Sequence, residues 1–260
     1  MRALMAIASA PVLLATLACG PAGDSAAQAQ RPEGAEDDAP TIVIVHGAWG
    51  GGWAWRTVEG HLRDLGYDVL RPTLTGLGDR VHLARPDVDL DTHALDVVNT
   101  LTFEERNDVV LVGHSYGGMV ITGVAEAVPE RLRTLVYVDA FVPRDGESVR
   151  DLMSGLLRAV EGDLVIPTWA DPSDPYPRDV PHPLGTMTQP LALDGEPGNG
   201  VPAVYIHTRE PGAESDSFDD AAARAEDLGW PVRVFEGGHN PQYSAPEAIA
   251  RLLAEVAAAP

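Results

Sequence analysis

The chain has 260 residues, 45% of them hydrophobic, which is enough for one domain or a small pair whose core needs no disulfide scaffold. Its formal charge of −21 repels nucleic acid and anionic membrane surfaces, and no block of Lys or Arg overrides that field. The lone cysteine, Cys19, excludes an intrachain disulfide and a cysteine-based zinc site.

In chain order, residues 1–18 carry one early Arg, an apolar run and then small residues. That is the pattern of a secretory signal peptide, and it is set aside from the fold. Cys19, after Leu17-Ala18 and before Gly20, resembles a bacterial lipoprotein cleavage site, with Thr16 departing from that pattern. Cys19 is therefore the candidate lipidation site, through which any membrane attachment would run. The chain is expected to be exported, as a periplasmic or outer-membrane lipoprotein or otherwise as a secreted protein. Residues 19–40 are small, acidic and proline-bearing, as expected of a flexible tether.

The folded part is expected over 41–260. Thr41–Val45 is a short β-branched run that suits a strand buried on both faces. The patterning then predicts a helix over 55–66, a strand at 67–70, a helix over 91–107, a strand at 109–112, a helix over 117–127 and a strand at 134–138. Such alternation requires crossover connections and an α/β layer architecture. Residues 145–200 differ, with a helix expected near 147–160 and a segment, 171–185, in which five of fifteen residues are proline. That composition excludes a central strand and suits a small cap over the sheet. Alternation resumes with a strand at 201–207, a helix at 217–228, a strand at 232–235 and a closing helix at 245–257.

The strongest local signal is Gly113-His114-Ser115-Tyr116-Gly117, set between the strand and the small-residue helix. A serine hydroxyl is a poor nucleophile without a base, and a tight strand-to-helix turn projects it toward one. Ser115 is the candidate nucleophile. The amides of Tyr116 and of Ala48, in the glycine-rich loop after the first strand, are the candidate oxyanion hole. The base is expected late in the chain, and His239 follows two glycines just after the last strand. His46 and His114 are read as structural or cleft-lining, and the eight histidines show no metal-ligand spacing and no H-E-x-x-H. Two acids compete to orient the imidazole. Asp139 ends a buried strand and is the preferred choice; Glu210, after a later strand, is the alternative.

Five stretches carry a resemblance: HGAWGGGWAW at 46–55, TLTGLGDR at 73–80, GHSYGG at 113–118, VYVDAFVP at 136–143 and GGHNP at 237–241. Over 41–260 the chain resembles the α/β-hydrolase superfamily. Within it, it is similar to the group of plant methyl-ester esterases of the salicylate type and hydroxynitrile lyases, with their bacterial relatives. The resemblance implies an α/β-hydrolase fold with a mostly parallel central sheet flanked by helices and a small cap insertion at about 145–200. It also implies a Ser-acid-His triad, a mostly apolar pocket and no cofactor. Plant esterases of the group carry their aspartate after the strand matching 201–208, where this chain has Glu210-Pro211; some lipases carry it where Asp139 stands. Hydroxynitrile lyases of the group place a lysine after the histidine, where this chain has Asn240, so cyanohydrin cleavage is disfavoured.

These readings converge on a serine carboxylic-ester hydrolase, with Trp49, Trp53 and Phe141 as candidate substrate-binding side chains. Small to medium neutral esters with apolar or aromatic parts suit it best, and lactones and pyrethroid-like esters use the same apparatus. The rival reading is a catalytically silent protein of the same fold that captures an apolar ligand.

Overall fold

The computed structural model describes residues 39–259. Cys19, the signal segment and nearly all of the expected tether lie outside the described residues. From residue 42 the chain alternates strand with helix: β1 (Ile42–Val45), α1 (Arg56–Asp64), β2 (Val69–Leu70), α2 (Leu90–Phe103), β3 (Val109–His114), α3 (Gly117–Ala127) and β4 (Leu132–Val138). An insertion then carries α4 (Val149–Leu152), β5 (Val160–Glu161), β6 (Leu164–Val165), β7 (His182–Pro183) and α5 (Leu184–Thr188). The alternation closes with β8 (Ala203–Arg209), α6 (Asp219–Asp227), β9 (Val232–Glu236), α7 (Pro241–Ser244) and α8 (Pro246–Ala257).

Six strands form one parallel sheet in the order β2-β1-β3-β4-β8-β9. Its central strands are buried on both faces, and successive side chains divide between two cores. Ile42, Ile44, Val110, Val112, Val136 and Val138 pack with Val58 and Leu62 of α1 and Ile249 and Leu253 of α8. Val43, Val45, Leu111, Leu135 and Tyr137 pack on the other face with residues of α2, α3 and α6. The register pairs Val45 with Gly113, His114 with Val138, and Val138 with Ile206. The residues that follow β1, β3 and β4, and the end of β8, therefore gather at one edge. In open parallel sheets that edge is where ligands bind.

The insertion differs in detail from the sequence expectation. The sequence predicts a helix near 147–160, but α4 stops at Leu152 and a single 3-10 turn, Ser154–Leu157, follows. Ser154-Gly155 is a weak helix pair, and Leu156 turns to line the cavity described below. Strands β5, β6 and β7 pair antiparallel as a small separate sheet, and the proline-rich stretch supplies no strand to the central one.

Candidate active site

β3 ends at His114, and Ser115 occupies the turn into α3 with φ of 54°. A non-glycine residue in this left-handed region costs on the order of 1–3 kcal/mol and persists only when its surroundings hold it. Here the Ser115 amide donates to the Val138 carbonyl (3.2 Å), and the Ser115 carbonyl accepts from Gly118 (3.0 Å) and Phe141 (3.1 Å). Two glycines permit this packing. A Cβ at Gly117 would lie 2.6 Å from the Val45 carbonyl oxygen, and one at Gly118 would lie 2.1 Å from that of Phe141.

His239 stands on the loop after β9, beyond Gly237 and Gly238. Its Nε2 accepts from the Ser115 hydroxyl at 3.1 Å, and its Nδ1 donates to Asp139 Oδ2 at 2.6 Å. The other carboxylate oxygen, Oδ1, accepts from the Thr208 amide at the end of β8 (3.2 Å). Asp139 is only 3% exposed and, like Ser115, has a positive φ, 43°. Burial of this carboxylate is tolerable because both oxygens are hydrogen-bonded. The structure thus brings together Ser115, His239 and Asp139. Glu210 is not part of the chain of bonds; it is exposed, with Oε1 beside Gly238, where a Cβ would meet it at 2.6 Å.

His114 lies beside this chain rather than in it. Its Nε2 donates to the His239 carbonyl at 2.8 Å, and its ring sits 4.8 Å from that of His239. Burial, helped by the neighbouring His239, pushes its pKa down to about 3, so it is a neutral anchor. His46 is also internal: it donates from Nδ1 to the Gly47 carbonyl (2.8 Å) and accepts at Nε2 from the Leu74 amide (3.1 Å). His93 donates to the Thr75 carbonyl (2.8 Å) and accepts from the Tyr116 hydroxyl (2.9 Å). His182 accepts from the Trp49 amide (3.1 Å) and bonds Thr186 (2.7 Å). These buried histidines brace the loop after β1 and the residue after the serine. The amides of Ala48 and Tyr116 themselves donate to no acceptor among the described residues.

A cavity of about 630 Å³ opens over Ser115 and His239, and the insertion adds Met153, Leu156 and Trp169 to its wall. Trp49 lines it, with its indole N–H on the Val165 carbonyl (3.0 Å) and its ring edge-on to Trp169 at 4.8 Å. Trp53 and Phe141 lie off the cavity wall. Trp53 packs toward Tyr243, with ring centroids 6.3 Å apart, and Phe141 is buried beneath Phe218 at 5.2 Å. The alternation that makes a Trp-rich loop look like a pocket does not say which ring turns inward. The sequence reading also missed Phe218, whose ring stacks on His239 at 5.0 Å, and the Thr208 amide. Both act across long stretches of chain; the only sequence signal was a single aromatic inside the acidic run Asp216–Asp220. Asp139, His207 and Asp216 place ligand-type atoms within 4.8 Å of one another; each already has a protein partner, Asp139 with His239 and His207 with Asp216 at 2.8 Å.

Comparison with known proteins bears on the family and the fold. A carbendazim hydrolyzing esterase of Nocardioides sp. (strain SG-4G) is 37% identical over 239 residues, covering 82% of this chain and 98% of that protein. The putative chloroplastic methylesterase 14 of Arabidopsis thaliana is 24% identical over 251 residues, covering 84% of this chain and 72% of its own. Among solved structures, an extracellular alpha/beta-hydrolase from a Paenibacillus species superposes with a TM-score of 0.69 at 23% identity, covering 83% of this chain and 98% of that one. The model of the alpha/beta hydrolase family matches residues 42–252, and the chain belongs to that family.

Proposed function

We propose that this carboxylesterase-like hydrolase cleaves small to medium neutral esters with apolar or aromatic parts through an acyl-enzyme on Ser115. The observation that carries the reading is the unbroken chain from Ser115 Oγ to His239 Nε2 (3.1 Å) and from His239 Nδ1 to Asp139 Oδ2 (2.6 Å).

In this mechanism Ser115 attacks the ester carbonyl while His239 takes its proton. Asp139 fixes the tautomer that leaves Nε2 free to accept, and its negative charge favours the imidazolium formed in the transition state. The Ala48 and Tyr116 amides receive the oxyanion; being uncommitted, they need break no bond to do so. His239 then returns the proton to the departing alcohol. Water enters and attacks the acyl carbon while giving a proton to His239; the bond to Ser115 Oγ then breaks as His239 returns that proton to Oγ, releasing the acid. The wall of Trp49, Trp169, Met153 and Leu156 suits an apolar or aromatic group on either side of the ester.

The test is a panel of chromogenic esters of rising acyl length, with carbendazim added because the Nocardioides relative's name couples it to esterase activity. Turnover is expected in the wild type and should fall at least about 10³-fold in Ser115→Ala. Equal rates in the two proteins would overturn the reading.

A further inference from the structure

The His239 carbonyl is anchored by His114 Nε2 at 2.8 Å, but little in its own loop fixes the plane of its ring. The residue lies in no helix or strand, follows Gly237 with φ of 151° and Gly238, and its side chain is 37% exposed. Catalysis nevertheless needs its ring in one plane, between an oxygen at 2.6 Å and another at 3.1 Å. Misplacement by about an ångström at such a site costs on the order of 10²-fold in rate.

Phe218 supplies a flat surface in the required orientation. Its ring lies 5.0 Å from that of His239, at only 7° from parallel. Phe218 is 5% exposed and rests in turn on Phe141, whose amide donates to the Ser115 carbonyl. Its backbone is tied down as well. The Phe218 amide donates to Asp216 Oδ1 (2.8 Å), and the Asp216 amide donates to Asp219 Oδ2 (2.9 Å). Two side chains of β8 hold those acids: His207 Nε2 bonds Asp216 Oδ2 at 2.8 Å, and Arg209 pairs with Asp219. β8 also gives the Thr208 amide to Asp139. One strand end therefore fixes both the acid of the site and the turn that carries Phe218.

We propose that Phe218 is a positioning residue for His239, anchored by the His207–Asp216 pair. The proposal rests on the serine-esterase reading and adds residues to it. The stack restricts rotation of the imidazole out of the Ser115–Asp139 plane and covers part of its surface from water. Phe218 also lines the cavity, so the competing role is contact with substrate alone. His207 does not line it, which separates the two.

The test compares Phe218→Ala, Phe218→Leu, Phe218→Tyr and His207→Leu, with rates normalised to folded protein by near-UV circular dichroism. The expected result is a kcat at least about tenfold lower in Phe218→Ala, Phe218→Leu and His207→Leu, with KM within about threefold. Phe218→Tyr, which keeps the flat ring, should recover most of the rate. A rise in KM at unchanged kcat, or a Phe218→Tyr no better than Phe218→Leu, would overturn the proposal. A second readout needs no turnover. The low-field Nδ1 proton resonance of His239, held by Asp139, should broaden in Phe218→Ala; a resonance as sharp as in the wild type contradicts the proposal. Loss of activity in Ser115→Ala together with wild-type kcat in Phe218→Ala would sink this inference and leave the esterase reading standing. Activity retained in Ser115→Ala would sink the esterase reading, with the resonance still deciding the role of Phe218.

Discussion

Asp139 and Glu210 present the sharpest contrast between two residues of like chemistry. Both follow a strand of the central sheet at the edge where Ser115 stands, yet one is buried and doubly bonded while the other is exposed beside Gly238. A carboxylate that orients an imidazole must keep one oxygen on Nδ1; an exposed acid one loop away does not supply that bond. Asp139→Asn should therefore lower kcat by on the order of 10²–10⁴-fold, since an amide in place of the carboxylate leaves the ring in the wrong tautomer. Glu210→Gln should stay within about threefold of wild type in the same ester assay. Near-full activity in Asp139→Asn, or a collapse in Glu210→Gln, would reverse the assignment. The sequence leaves this choice open because the bonds of the Asp139 carboxylate reach residues 208 and 239, and no local pattern records them.

Among the elements, the loops after β1, β2 and β3 are braced from inside by neutral imidazoles. Burial pushes the pKa values of His46 and His93 down to about 4 and that of His114 to about 3. The unfolded chain takes up these protons near pH 6.5, whereas the folded protein resists them until the lower values. Stability from these groups is therefore complete above about pH 6.5 and is lost as the pH falls toward 4, and for His114 toward 3, by on the order of 3 kcal/mol for each group. Urea midpoints at pH 7, 5.5 and 4.5, in high salt to screen acid–acid repulsion, should fall in that order; a flat series would contradict the account. The element boundaries themselves were largely legible. α3 spans Gly117–Ala127 as the small-residue pattern predicts, and β1, β3 and β9 lie within a residue or two of the apolar runs that mark them. The insertion was less so: α4 is four residues long because Ser154-Gly155 weakens the helix after it and Leu156 turns to the cavity.

At the scale of the whole molecule, the parallel sheet does one thing for function: its register delivers four distant segments, after β1, β3, β4 and β9, to a single edge. The β-branched runs and the helices between them make that architecture readable from the chain, because burial on both faces leaves a continuous apolar signature. Which side chains then meet over the edge depends on the crossing of loops 100 and 124 residues apart in sequence, and patterning carries no such information. The proposed chemistry depends above all on the meeting of the Ser115 hydroxyl with the His239 imidazole. Its most direct measurement is labelling by a fluorophosphonate followed by peptide mass spectrometry, in wild type and in His239→Ala. One adduct is expected, on the peptide carrying Ser115, forming at least about a hundredfold more slowly in the variant; an adduct on another residue, or equal labelling of both proteins, would show that this meeting does not activate the serine.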